Sequence, residues 1–229
     1  MKIGKLQKTT KQRGFTLIEI AIVLVIIGLL LGGVLQGQQL IENSRVKSAT
    51  NDFNGIAAGA FSYQDRYGRL PGDDPGAVVG RGSSWPASAA GDGNGVIDDD
   101  ATNVFAPAAA SETTYFFQNL RSAGFISGDA TQVGKLALPA NPFGGLITIM
   151  SGTALGDGAM PPNTLNGNKV CMGNVSGSSA IALDTQLDDG KPNSGRFRAS
   201  ASATPNLAPA ASAATTYSED TTYTVCYRI

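Results

Sequence analysis

An uncharged apolar run near the N-terminus constrains this 229-residue chain more than any other feature. Ile20 to Leu35 contains no charged residue. Such a segment is typical of a helix that is apolar on every side, as a membrane span requires. The run is preceded by five cations and no carboxylate: Lys2, Lys5, Lys8, Lys11 and Arg13. Because a basic flank stays on the cytoplasmic side of a bilayer, the sequence predicts one spanning helix with the remainder of the chain outside the cytoplasm.

Glu19 is a carboxylate at the start of this apolar segment. An ionisable group inside a membrane is costly and indicates a function with a specific partner. A plain membrane anchor explains the apolar run and its basic flank but gives no reason for Glu19. A secretory signal peptide should end in a small-x-small cleavage site, and Leu35 is instead followed by Gln-Gly-Gln-Gln.

The sequence GFTLIE at residues 14–19 resembles the cleavage signal of type IV prepilins and type II secretion pseudopilins. By that resemblance, a prepilin peptidase and N-methyltransferase cuts after Gly14 and methylates the nitrogen of Phe15. Glu19 is then the acid that family members use in filament assembly, and its expected partner is the new amine of Phe15. Gln36 stands where the family usually has a proline.

The resemblance also implies where the chain is located before and after assembly. It implies an inner-membrane precursor with one span, followed by assembly with other pilin or pseudopilin subunits on an inner-membrane platform driven by an ATPase. The final location would be a pilus on the cell surface or a periplasmic pseudopilus. Three roles remain open at this stage: a pilus subunit, a type II secretion pseudopilin, or a scarce subunit at the filament tip that acts as an adhesin or binds a ligand.

Composition excludes several other functions. Removing residues 1–14 takes five of the 17 Lys and Arg, which leaves 12 against 18 Asp and Glu, a formal charge of −6. An acidic chain is a poor general nucleic-acid binder, because phosphate contacts need clustered cations. The chain has no histidine, so catalytic triads with histidine and histidine-ligated metals are excluded. Adjacent Asp73 and Asp74 rarely converge on one substrate, and we predict no enzymatic activity.

Periodicity predicts an α+β fold with a long helix from Phe15 to about Tyr67. Beyond the apolar run, large and small apolar residues recur at steps of three and four and predict a stripe packed on a small antiparallel sheet. The stripe consists of Val46, Ala49, Phe53, Ile56, Ala60, Tyr63, Tyr67 and Leu70. The predicted organisation is therefore a leader at 1–14, a helix at 15–70 whose segment 15–36 spans the membrane or the filament core, and a head at 71–229.

The head is predicted to contain a long loop up to about Thr102, two short helices and three strands. Ser111 is the expected N-cap of a helix through Ala123. A second short helix is expected at 178–187, with Ser178 as its cap. Strands are expected at 146–150, 170–172 and 221–229. The Ala- and Ser-rich stretch 199–214 is predicted to be a mobile surface loop.

Cys171 and Cys226 are the only cysteines. Outside the inner membrane the surroundings are oxidising, which favours a disulfide, and the family resemblance supports one near the C-terminus. Two separately buried thiols are the alternative. Closing a loop of about 56 residues would stabilise the fold by about 4 kcal/mol in the chain-entropy model.

Two acidic stretches are candidate calcium sites. In the first, oxygen ligands at alternate positions surround a turn glycine, as in calcium loops; the candidate ligands are Asp92, Asn94, Asp98 and Asp100. It is no EF-hand, because Ala90 and Ala101 would occupy the first and last ligand positions. The second group is Asp184, Asp188 and Asp189, beside Gly190. A solvated acidic turn is the alternative at both places.

Overall fold

The computed structural model describes residues 14–77, 81, 85, 90–97, 103–152 and 165–229. The chain divides into two compact units, Met1–Glu42 and Asn43–Ile229. The fold is α+β, as predicted. Its long N-terminal helix α1, Leu17–Tyr67, lies on a small antiparallel sheet of four strands through the residues that belong to the second unit.

The two parts of α1 bury very different surfaces. In the first unit its apolar side chains are exposed, as Leu17 and Leu29 illustrate. In the second unit the predicted stripe is confirmed: the side chains from Val46 to Tyr63 that were assigned to it are buried, and Tyr67 and Leu70 pack partly buried beside them. Burying such a stripe stabilises the helix far more than helix propensity does, at about 25 cal/mol for each Å² of apolar area.

The sheet consists of β1 (Ile147–Met150), β2 (Lys169–Ser176), β3 (Phe197–Ala201) and β4 (Thr222–Arg228) in the order β1-β2-β4-β3, with every neighbour antiparallel. One face packs on α1, where Phe53 meets the rings of Phe197 and Tyr227 edge-on. The other face is covered by a second cluster that includes Phe105 and Leu165.

Both edges of the sheet are covered by the chain itself. On β1, the amide of Ile147 donates to the carbonyl of Pro139, and the Thr113 hydroxyl donates to the Ile149 carbonyl. On β3, the Ala199 carbonyl accepts a hydrogen bond from the amide of Ala214. Because unpaired strand edges invite pairing with other chains, this cover directs association of the second unit away from strand addition.

The predicted disulfide is present and joins Cys171 to Cys226. The two residues face each other in the register of β2 and β4, and both are fully buried. The bond therefore fixes the C-terminal strand to the centre of the sheet, where the second cluster of apolar residues covers it.

Helix α2 spans Glu112–Ser122 and α3 spans Gly177–Leu187. Ser111 caps α2 as predicted, because its hydroxyl accepts from the amide of Thr114. The predicted cap of α3 was wrong by two residues: Ser176, and not Ser178, accepts from the amide of Ser179. The helix begins directly at the end of β2, so the strand's last residue serves as the cap.

The prediction of a mobile loop at 199–214 was wrong for its first three residues, 199–201. Phe197–Ala201 forms strand β3, and Ala199 is fully buried. Farther along, the Leu207 carbonyl accepts a hydrogen bond from the Thr224 hydroxyl on β4. Alanine and serine have weak strand propensity, so pairing with β4 and not local sequence makes this strand.

We expect Phe53→Ala to lower the free energy of unfolding by about 3–5 kcal/mol, because it removes a fully buried ring from between α1 and the sheet. Phe61→Ala is the matched control on the same helix: Phe61 is 57% exposed, and its truncation should change the free energy by less than about 0.5 kcal/mol. Urea unfolding of the purified chains in detergent measures both. Equal losses in the two variants would contradict this packing.

Candidate functional site

The start of α1 is built as a capping box. The amide and the hydroxyl of Thr16 both donate to Glu19 Oε2, at 2.8 and 2.7 Å, and the amide of Glu19 donates back to Thr16 Oγ1 at 3.3 Å. This reciprocal pattern satisfies amide groups that the first turn of a helix leaves without partners. It explains why the helix begins at Leu17, directly after Thr16.

The same geometry leaves the Glu19 carboxylate able to receive a second partner. The side chain is exposed, and within residues 14–77 and the other described ranges only its Oε2 accepts a hydrogen bond. Phe15 lies four residues earlier and is 83% exposed. Gly14 contacts nothing within 4 Å at the position a Cβ would occupy. The five leader cations lie outside the described residues.

Between Ile20 and Leu35 the surface of α1 is apolar and exposed. Among the described residues, α1 is the helix long and apolar enough to cross a membrane, with a mean hydropathy of 2.8 over 18 residues that are not buried in the chain. Apolar area of this size requires lipid or other protein to cover it. The first unit therefore fits a membrane-anchored precursor.

The acidic stretch after Gly91 folds around a buried carboxylate from elsewhere in the chain. Asp73 Oδ1 accepts from the amides of Gly93 at 2.5 Å and Asn94 at 3.1 Å, and its Oδ2 accepts from the amide of Gly95 at 2.5 Å. Three amide donors on one carboxylate hold the turn in place. The turn is thus held by an acid that lies 20 to 22 residues earlier in the chain.

Asp73, Asp92 and Glu112 each bring a carboxylate oxygen to within 4.8 Å of the others, and the three could hold a metal ion. Of the predicted ligands, Asp92 belongs to this group. Asn94 is engaged within the loop, where its side-chain nitrogen donates to Asp92 Oδ2. Asp98 and Asp100 lie outside the described residues. Sequence spacing could not find Asp73 and Glu112, because only tertiary folding places them beside Asp92.

Asp73 and Asp74 point to different partners, as expected for neighbouring residues. Asp74 accepts a hydrogen bond of 2.8 Å from the Tyr63 hydroxyl and forms an ion pair with Arg81. Burial raises the pKa of the Tyr63 phenol, and its bond to Asp74 raises it further. The Arg81 guanidinium lies 3.8 Å from the centre of the Tyr67 ring. These contacts attach the segment after α1 to the helix.

The second acidic group is brought together as predicted: carboxylate oxygens of Asp184, Asp188 and Asp189 lie within 4.8 Å of one another and could hold a metal ion. Each already accepts hydrogen bonds. Asp184 accepts from the Tyr217 hydroxyl at 2.7 Å, Asp188 from the amide of Phe197 at 2.9 Å, and Asp189 from the amide of Lys191 at 2.9 Å.

Asp184 and Asp189 of this group differ in exposure and in pKa. Burial raises the pKa of Asp184 from 3.8 to about 6, and the charges of Asp189 and Asp188 add to the shift. Asp189 is exposed, and the Ser194 hydroxyl bond lowers its pKa. A cation beside Asp184 would offset the cost of its buried negative charge.

Lys169 is a buried cation that the sequence did not reveal. It is fully buried on β2, and its ammonium donates to the carbonyls of Gly152 at 2.7 Å and Gly167 at 3.1 Å. Burial lowers its pKa to about 8. Its two carbonyl partners, Gly152 and Gly167, are far apart in sequence, and the ammonium links them. The role of Lys169 is therefore structural.

The raised pKa of Asp184 predicts a pH dependence of stability. The folded chain binds this proton more tightly than the unfolded chain, so the contribution is fully present below pH 3.8 and is lost as pH rises through 6, by about 3 kcal/mol at most. Asp184→Asn lacks the titrating group. We expect the stability of the native chain relative to Asp184→Asn to fall between pH 4 and pH 7, measured by urea unfolding. A difference that is constant with pH would refute this assignment.

A family model described as the prokaryotic N-terminal methylation motif matches residues 9–35. No curated protein matches the chain significantly. The matched residues contain the capping box of Thr16 and Glu19, the exposed Phe15 and the uncovered apolar surface of α1. The chain therefore carries the N-terminal signature of type IV pilins and pseudopilins on a fold consistent with theirs.

Proposed function

We propose that the chain is a structural subunit of a type IV pilus-like filament. A prepilin peptidase removes residues 1–14 and methylates Phe15, and the mature chain assembles through residues 15–36 of its helix. The rest of the helix to about residue 70, with residues 71–229, forms the head outside the cytoplasm. Before assembly, the chain is anchored in the inner membrane, and it then joins other subunits on the assembly platform.

The observation that carries this proposal is the environment of Glu19. Its carboxylate is exposed at the start of an apolar helix surface, and Oε2 alone accepts hydrogen bonds from described residues. Cleavage after Gly14 creates an ammonium group on Phe15. An incoming subunit whose ammonium reaches the Glu19 of its neighbour would form a charge-assisted pair away from water.

The pair of the Phe15 ammonium and the neighbour's Glu19 determines the axial position of the incoming subunit more than it stabilises the filament. Two charges that leave water lose hydration energy comparable to their mutual attraction. Relative to subunits in water, the filament is held together instead by the exposed apolar residues of α1, such as Leu17 and Leu29, which neighbouring helices would cover. Small residues in and directly after this segment allow close approach of helices; they are Ala21, Gly28, Gly32, Gly33 and Gly37.

The alternative within the same class is a type II secretion pseudopilin, which would form a short periplasmic filament. A tip-located adhesin or ligand-binding subunit is the alternative of another class. Abundance separates them: a pilus subunit dominates sheared surface fractions, a pseudopilin stays with the cell, and a tip subunit is scarce. The proposal includes no enzymatic role, because the N-terminal methylation motif is the signature of structural subunits.

We expect Glu19→Ala to leave cleavage after Gly14 intact but to reduce sheared filaments about tenfold or more, since the loss of a paired buried charge costs at least 1.4 kcal/mol per contact. Gly14→Val is the matched control, because it should retain the leader and migrate as the heavier precursor. Immunoblots of cell and sheared fractions measure both. Normal filament yield from Glu19→Ala would rule out the register argument.

We also propose that one of the acidic groups binds calcium. Oxygen-rich clusters suit this hard cation, and the buried Asp184 would regain its charge at lower cost beside one. Calcium should raise the melting temperature, and a chelator should reverse the rise.

Two variants assign the calcium effect to a site. Asp92→Asn should abolish the shift if the first group binds, and Asp189→Asn if the second does. Asp220→Asn is the control, since this exposed carboxylate belongs to neither group. No shift with calcium at matched ionic strength would dismiss the calcium proposal.

A further inference from the structure

A groove of about 290 Å³ opens in the second unit between α1 and the chain before β1. Its apolar lining includes Ile56, Ile126, Pro139 and Ile147. Gly55 has no side chain, and nothing lies within 4 Å of the position that its Cβ would take, so the helix side of the groove is open. The strand edge beside the groove is already hydrogen-bonded to Pro139, so an occupant would be held by side chains.

Asp52 places a carboxylate in the lining of this apolar groove. The residue is half-buried, and burial raises its pKa. No hydrogen bond or ion pair links it to the residues that the structure describes. A half-buried carboxylate without such a partner favours an occupant that brings a cation together with apolar surface.

The same unit presents a segment of that chemistry. Val133 and Leu136 are 42% and 75% exposed, and Lys135 lies exposed between them. Leu136 has the largest exposed fraction of the exposed large apolar residues between Asn43 and Ile229 in the described chain. We call residues 133–136 the knob.

The knob is held in a fixed position from both sides. Before it, the Gln132 carbonyl accepts a hydrogen bond of 2.8 Å from the buried Gln118 on α2. The knob itself forms most of the 3-10 turn Gly134–Ala137, which ends at the buried Ala137 and is followed by the buried Leu138. A surface that is already ordered loses little conformational entropy on binding. Because Leu136 is exposed, the knob does not fill the groove of its own chain.

We infer that the knob of one copy of this chain docks in the groove of the next copy, with Lys135 against Asp52. Leu136 and Val133 would cover the apolar lining, and the ammonium would face the carboxylate. The occupant is a second copy because this chain itself carries both halves, matched in apolar surface and opposite in charge.

In a filament, the knob and the groove of one copy would engage two different neighbours, which makes the contact heterologous. Repeated contacts of that kind produce rings or open helical filaments. The inference rests on the proposed filament and deepens it, since it assigns a contact between heads in addition to packing between N-terminal helices. It leaves the sheet edges, which the chain covers itself, outside the interface.

Cross-linking tests the contact in the full-length protein, expressed in the organism that naturally produces it. Asp52→Cys and Lys135→Cys are expressed separately and together, and a short bismaleimide joins free thiols. The native cysteines do not interfere, because they form a disulfide. We expect covalent dimers only when the two variants are coexpressed, since each subunit offers a different half. Asp52→Cys with Lys191→Cys is the control, because Lys191 is an exposed cation outside the knob.

Charge exchange gives a second readout. Asp52→Lys and Lys135→Asp should each lower the filament yield about tenfold, because like charges then face each other across the contact. The double exchange should restore the yield to within about twofold, which a merely misfolded variant would not do.

The outcomes separate this inference from the proposed function. Filaments in the native strain together with no dimers in the coexpression would overturn the knob-and-groove contact alone. Cross-links within a single variant, or to a protein of different mass, would also overturn it. An uncleaved chain that forms no filaments in any strain would refute the proposed function itself.

Discussion

The helix surface between Ile20 and Leu35 has no charge, and its large apolar side chains are exposed. At about 25 cal/mol per Å², leaving this surface exposed to water is unfavourable. Lipid can cover it before assembly and other helices afterwards. Lipid tails and neighbouring helices are both apolar, so transfer of the helix from one to the other changes the hydrophobic contribution to the free energy little. The polar groups at the start of the segment therefore determine the position of the subunit.

Those polar groups are few and are already organised. Thr16 and Glu19 satisfy each other in a capping box and leave one carboxylate oxygen for a further partner. The head follows a different rule: its carboxylates fold loops, as Asp73 does for residues 93–95 and Asp188 does for the turn before β3. Asp73 and Asp188 thus act as local anchors, whereas Asp52 on α1 lines a groove.

Sequence reasoning predicted the features that depend on local pattern. The apolar run, the stripe from Val46 to Tyr63 and the Ser111 cap follow from periodicity and capping, and the structure contains them. The disulfide followed from compartment and from resemblance. Features that depend on distant residues were missed: strand β3 forms because β4 pairs with it, and Lys169 is buried because the sheet and its loops close over it.

The candidate sites show the same division. The group of Asp184, Asp188 and Asp189 was found because its members are close in sequence, whereas Asp73 and Glu112 join Asp92 only through the fold. The knob and the groove were invisible to pattern analysis, because exposure of Leu136 and the missing partner of Asp52 are properties of the packed chain.

The central claim is that the chain becomes functional when a new amine is created beside Glu19. Mass spectrometry of the N-terminal peptide from protein purified out of cells tests it most directly. The account predicts a mature chain that begins at Phe15 and carries one added methyl group on its nitrogen. A chain that still begins at Met1, or one that begins after Leu35, would contradict it.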